Sequence, residues 1–140
     1  MKKDDVIKTF NLLLTDRNTR KVFDADISAR VPYRLHCCVY NFNREVWVED
    51  DILYNYDLGG NCQTLKILNE RGSCLMYYQI RPYLRPMSSM TEEEEKEFEE
   101  TLQYTQCTLD SYDWLNAHHF DYRGLIPLGL ALEAPDGMYK

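Results

Sequence analysis

The chain has 140 residues, of which 44% are hydrophobic and 13% aromatic, enough to close one core without metal or disulfide support and too apolar for a disordered segment. Its net charge of -7 is uneven, because residues 1–90 carry 13 Lys and Arg against 11 Asp and Glu, whereas residues 91–140 carry 3 against 12. That balance argues against nucleic acid as a partner, which needs many cations to release counterions, and no apolar run approaches the roughly 18 residues that would span a bilayer.

Val6, Ile7, Phe10, Leu13 and Leu14 recur at the spacing of one helix face, with Asp4 or Asp5 as cap. The same two aspartates stand where a signal peptide would turn apolar, so the expected location is the cytoplasm. Between Thr19 and Val31, residues Val22, Phe23 and Ile27 predict a short second helix that ends before Pro32.

From Tyr33 the period changes to two. Leu35, Cys37 and Val39 alternate with Arg34, His36 and Cys38, which predicts a strand with one buried face, and Asn41 and Asn43 predict a turn after it. Val46, Val48, Ile52, Tyr54, Tyr56 and Leu58 share one face, so either one strand bends at Asp50 and Asp51 or two strands meet there. Turns at Gly59–Asn61 and Asn69–Gly72 frame a strand through Leu65 and Ile67, and a last strand is predicted over Cys74–Ile80. Arg81 to Pro86 then leaves the sheet, since Pro82 and Pro86 remove ladder donors.

Ser89 with Glu92 and Thr91 with Glu94 both have capping-box spacing, and the run from Glu92 to Glu95 lies at the helix end that favours negative charge. Phe98, Leu102 and Thr105 give this acidic helix a narrow apolar stripe, so it is expected at the periphery with solvated glutamates. A further helix is predicted from Asp110 or Ser111 to about Phe120, followed by a tail whose Leu125, Ile126, Leu128, Leu130 and Leu132 are core candidates.

The expected fold is α+β: a small antiparallel sheet or partly open SH3-like barrel, flanked by an N-terminal helix and C-terminal helices. One domain is expected, with an N-terminal helical segment 1–32, a β module 33–86 and a C-terminal segment 87–140. The five cysteines are odd in number and contain no C-x-x-C pair, which predicts reduced thiols and no metal site.

Two constellations could carry function. Tyr77, Tyr78, Arg81, Tyr83 and Arg85 mix aromatic and guanidinium groups beside the sheet and are the candidate binding face. His118, His119 and Asp121 are the one close cluster of catalytic residue types, although neighbouring helical residues diverge by about 100°. No Walker loop, G-x-G-x-x-G, G-x-S-x-G or H-E-x-x-H occurs, and no catalytic residue or cofactor is assigned.

Residues 81–94, RPYLRPMSSMTEEE, and 113–140, DWLNAHHFDYRGLIPLGLALEAPDGMYK, resemble short proteins encoded by gut Bacteroidales and by their phages and integrated elements. ISARVPY at 27–33 is similar to the same group, in which a glycine is commoner where this chain has Arg34. The resemblance implies a phage or mobile-element accessory protein in a bacterial cytoplasm and transfers no activity. The leading expectation is therefore a non-catalytic module that binds a host or phage protein. The alternatives are an acidic inhibitor of a nucleic-acid-binding or defence protein, and a small enzyme using His118, His119 and Asp121.

Overall fold

The structure, a computed structural model, describes residues 8, 12, 16–41, 44–58, 65–69, 74–75 and 80–139. It is α+β, and the chain divides into two compact units, residues 1–83 and 84–140. The sequence boundary between the β module and the C-terminal segment lies three residues beyond this division.

In the first unit Lys8 and Leu12 are helical, and the predicted N-terminal apolar face of Val6, Ile7, Phe10, Leu13 and Leu14, with its cap at Asp4 or Asp5, lies outside the described residues. Helix α1 spans Arg17–Arg30. Asp16 caps it, because its Oδ1 accepts from the amides of Asn18 and Thr19 at 3.1 and 3.2 Å, which satisfies donors that the first turn cannot use. Phe23 and Ile27 are fully buried as expected, but Val22 is exposed. The buried stripe is instead Phe23, Asp26, Ile27 and Arg30, and the two charged members form a two-pronged ion pair with distances of 2.9 and 3.0 Å. Helix gives way to a 3-10 turn at Val31–Tyr33, where Pro32 removes a donor. Arg34 follows with φ 57°, a backbone conformation that favours glycine.

Strands β1 (His36–Asn41), β2 (Val46–Leu58), β3 (Leu65–Asn69), β4 (Cys74–Leu75) and β5 (Ile80–Leu84) pair antiparallel in the order β4-β3-β2-β1-β5. Among the described residues no pairing joins β4 to β5. The 46–58 segment is one strand. Its register with β1 slips by one residue between Cys37–Asp51 and Val39–Val48, and its register with β3 slips between Leu53–Asn69 and Tyr56–Ile67. Both extra residues lie on β2, and bulges of this kind bend a strand and raise its twist. The bend expected near Asp50 is thus a bulge within a continuous strand.

Strand β1 is buried on both faces, with Cys38 and Tyr40 as enclosed as Cys37 and Val39. The segment from Ile80 to Leu84 does not leave the sheet: Cys37 pairs with Pro82, Cys38 with Arg81 and Val39 with Ile80. Pro82 lies within this ladder, opposite Cys37, although it has no amide to donate to it. The predicted Cys74–Ile80 strand is replaced by β4 and the start of β5, with 76–79 outside the described residues.

In the second unit a 3-10 turn at Met87–Ser89 leads to helix α2, Glu92–Thr101, with Thr91 as N-cap in a reciprocal capping box with Glu94. Helix α3 spans Leu109–Ala117, and its cap is Thr108, with Ser111 closing a second box, one residue before the predicted start. No residue of α2 is buried, as its narrow stripe predicts, but Phe98 packs against Trp114 at 5.6 Å between ring centres. Trp114 is in turn stacked on His118 and Phe120. In the tail, Leu125 and Leu130 are core residues joined by the Leu130 amide to Leu125 carbonyl bond of 3.1 Å, while Leu128 is half exposed on the intervening turn. Strand β6, Leu132–Glu133, follows, and the Ala134 amide donates to the Leu84 carbonyl at 2.8 Å.

Leu115 and Leu128 therefore give opposite outcomes on truncation. Leu115→Ala should cost about 2–4 kcal/mol in a chemical denaturation experiment, the range for a buried leucine, and Leu128→Ala about 0.5 kcal/mol or less.

Candidate interaction surface

The candidate binding face does not assemble as an exposed surface. Tyr77 and Tyr78 lie outside the described residues, and Arg81 and Tyr83 are buried in β5. The Arg81 guanidinium donates to the Ile80 carbonyl at 3.0 Å and lies 5.3 Å from the Trp47 ring centre, so both its charge and its flat face are engaged. Pro82 and Pro86 predict that the chain leaves the sheet at Arg81, but it continues as a strand to Leu84. Inclusion in β5 encloses Arg81 and Tyr83.

Arg85 is held more tightly still. Its Nη1 and Nη2 donate to both carboxylate oxygens of Glu94 at 2.7 Å, and its guanidinium lies 4.1 Å from the Phe120 ring centre. Glu94 Oε1 also accepts from the Thr91 amide at 3.1 Å. These bonds, chiefly those from Arg85 and against the opposing effect of burial, lower the Glu94 carboxyl from 4.5 to about 2. The backbone of Arg85 is equally occupied: its amide donates to the His119 carbonyl, and its carbonyl accepts from the Asp121 amide, each at 2.8 Å.

The His118, His119 and Asp121 cluster is spent on the same junction. Helix α3 ends at Ala117, His118 is its C-cap, and His119 turns the chain with φ 59°. His118 Nδ1 meets the Trp114 carbonyl at 2.9 Å, while the buried His119 ring stacks on Tyr139 at 4.0 Å. Asp121 Oδ1 accepts from the Leu125 amide at 2.8 Å and Oδ2 from the Ile126 amide at 2.9 Å, which holds the turn that follows. The two rings have different neighbours, although His118 and His119 lie beyond the last helical residue, so the expected divergence of successive helical positions does not apply, and no histidine is oriented by Asp121 through these bonds. Among the described residues no group of His, Cys, Asp and Glu is arranged to hold a metal ion.

A cleft of about 260 Å³ opens within this unit between the Arg85–Thr91 and Glu133–Tyr139 segments. Arg85 is the one predicted site residue that lines it, and its guanidinium is directed to Glu94. His118, His119 and Asp121 do not line it.

The surface that sequence reasoning missed lies between α2 and α3. Thr105 was expected to continue the apolar stripe of the acidic helix, but the helix stops at Thr101 and Leu102 is its cap. Tyr104 and Thr105 both have positive φ, 51° and 64°, and Gln103 and Gln106 exchange two backbone hydrogen bonds of 3.0 and 2.9 Å around them. This is the pattern of a two-residue I′ turn, ordinarily built from Asn and Gly; two non-glycine residues carry it here at a conformational cost. The neck of the loop is tied where the Thr108 and Ser111 hydroxyls both donate to the Thr101 carbonyl, at 2.9 and 3.0 Å. Tyr104 stands at the tip with 89% of its surface exposed, and Leu109, the first residue of α3, is 84% exposed. Tyr112, one turn further along α3, is also exposed. The QYTQ sequence carries no glycine or proline that would have announced the turn.

Among the described residues no helix is long and apolar enough to cross a membrane. No family model matches this chain, and neither a curated protein nor a solved structure matches it.

The Arg85–Glu94 pair gives a pH-dependent outcome. The folded state holds the Glu94 proton less tightly than the unfolded chain does, so the pair's contribution is full above about 4.5 and is lost as pH falls toward 2. Arg85→Ala should cost about 1.5–3 kcal/mol at pH 7, and the gap between wild type and variant should narrow across that acid window when unfolding is measured at a series of pH values.

Proposed function

We propose that this chain is a non-catalytic binding protein of a phage or mobile element, acting in the bacterial cytoplasm on a protein of the host or of the phage. The observation that carries this reading is the use of Asp121, both of whose carboxylate oxygens accept backbone amides, so the cluster richest in catalytic residue types holds a turn instead of activating a histidine. The resemblance of residues 81–94 and 113–140 supports the phage or mobile-element setting.

The test is cross-linking and capture from host lysate with and without infection, followed by titration of the purified partner. A stoichiometric complex, unchanged in affinity and in biological effect by His118→Gln, is the expected result. An effect abolished by His118→Gln while binding persists would instead favour the enzyme reading.

A second reading has its own observation. Six glutamates of α2, namely Glu92, Glu93, Glu95, Glu97, Glu99 and Glu100, are exposed, and α2 holds one lysine among them. Such a ridge suits an inhibitor that occupies the basic site of a nucleic-acid-binding or defence protein. Glu95→Gln, Glu99→Gln and Glu100→Gln together keep the Thr91–Glu94 box, so the fold should survive in circular dichroism. If α2 serves only as a solvated face, partner affinity should change less than twofold; a loss of tenfold or more, together with salt sensitivity of the wild-type complex, would favour the inhibitor.

A further inference from the structure

The binding reading leaves open where the partner is held and what chemistry the partner presents, and the α2–α3 loop supplies both. We infer that Tyr104, Leu109 and Tyr112 form the anchor of a docking surface for a partner protein that offers an apolar recess rimmed by Lys and Arg. This inference rests on the proposed binding function and adds the partner's surface chemistry to it.

Three features converge on this loop. Two large apolar side chains are almost wholly in water, although the same unit buries Leu115, Phe120, Leu125 and Leu130, so apolar surface has been left outside where core was available. The loop that carries Tyr104 is held by four hydrogen bonds, two across the turn and two at its neck, so little conformational freedom remains to be lost on binding. A tyrosine of this kind brings large contact area on two rotatable bonds.

The surrounding charge selects the partner. Glu99 and Glu100 precede the loop, and the exposed Asp110 and Asp113 immediately follow Leu109 and Tyr112 along α3. Residues 84–140 carry 4 Lys and Arg against 12 Asp and Glu. Nucleic acid and anionic lipid would meet this field with the same sign and be repelled. A second copy of the chain would bring the same acidic rim against itself. A basic protein surface is the one complement that satisfies both parts, since its cations meet the rim while Tyr104 and Leu109 enter a recess between them.

The experiment uses the full chain with a defined probe, a fluorescein-labelled amphipathic helical peptide with Leu on one face and Lys on the other. Controls are the same peptide with Glu for every Lys, and a Lys peptide without Leu. The Leu/Lys peptide should bind with a micromolar Kd, both controls at least tenfold more weakly, and amide chemical shifts should move around Gln103–Tyr112. Tyr104→Ala with Leu109→Ser should weaken the Leu/Lys peptide about tenfold and leave the thermal midpoint unchanged, because both side chains are exposed. Equal binding by this double variant, equal binding of the Lys-only peptide, or shifts confined to other surfaces would overturn the inference. The partner captured from lysate separates the two levels: undiminished binding of that partner by the double variant would overturn the docking surface alone, whereas turnover that depends on His118 would overturn the binding function itself.

Discussion

The second unit is organised around one ion pair. Arg85 reaches Glu94 with two hydrogen bonds of 2.7 Å, and Glu94 simultaneously closes the capping box that starts α2. The same arginine covers the Phe120 ring, and its amide and carbonyl bracket the backbone between His119 and Asp121. A single residue therefore fixes the start of α2, the turn after α3 and the aromatic stack of Trp114, His118 and Phe120. A two-pronged guanidinium–carboxylate pair suits this position because its geometry is planar and directional, and partial burial strengthens it without the full desolvation cost of a deep core. Lysine could supply the charge but neither the second prong nor the flat face over Phe120.

With the polar groups of the junction committed to structure, what the unit presents outward is acidic and aromatic. Exposed glutamates along α2 lead directly into the tied loop that lifts Tyr104 and Leu109 into solvent. The positive φ angles at Tyr104 and Thr105 place a conformational cost at the same spot where apolar surface is left uncovered. Backbone cost and exposed apolar area each work against folding alone, and their coincidence is the basis of the docking surface proposed above.

The first unit answers a different constraint. Its β1 strand is enclosed on both faces, so alternation no longer separates inside from outside there, and the neighbouring β2 carries two bulges. In α1 the buried pair of Asp26 and Arg30 occupies the helix face that carries Phe23 and Ile27. Each charge is tolerated because the other meets it, with an i, i+4 spacing that brings the two groups together on one helix face.

Local chemistry was legible wherever a residue acts on its own neighbours. The Thr91–Glu94 box, the end of α1 before Pro32, the presence of strands β1, β2 and β3, and the burial of Leu115, Leu125 and Leu130 all follow from spacing and side-chain type. Arg34 shows the limit of that reading, since nothing about an arginine announces a φ of 57°. The outward assignment of Arg81 and Tyr83 failed for a related reason: two prolines argue for departure from a sheet, but pairing with β1 is decided by a strand more than forty residues away. Asp26, Arg30, Arg85 and Asp121 were beyond reach for the same cause, because a charged side chain reads as solvated until a specific partner is brought within 3 Å of it. Sequence alone thus determined the α+β class, the Thr91 cap and part of the apolar core, which depend on interactions within a few residues. Tertiary structure decided which polar groups are consumed and which apolar ones are displayed, because burial and ion pairing are properties of neighbours that only folding supplies.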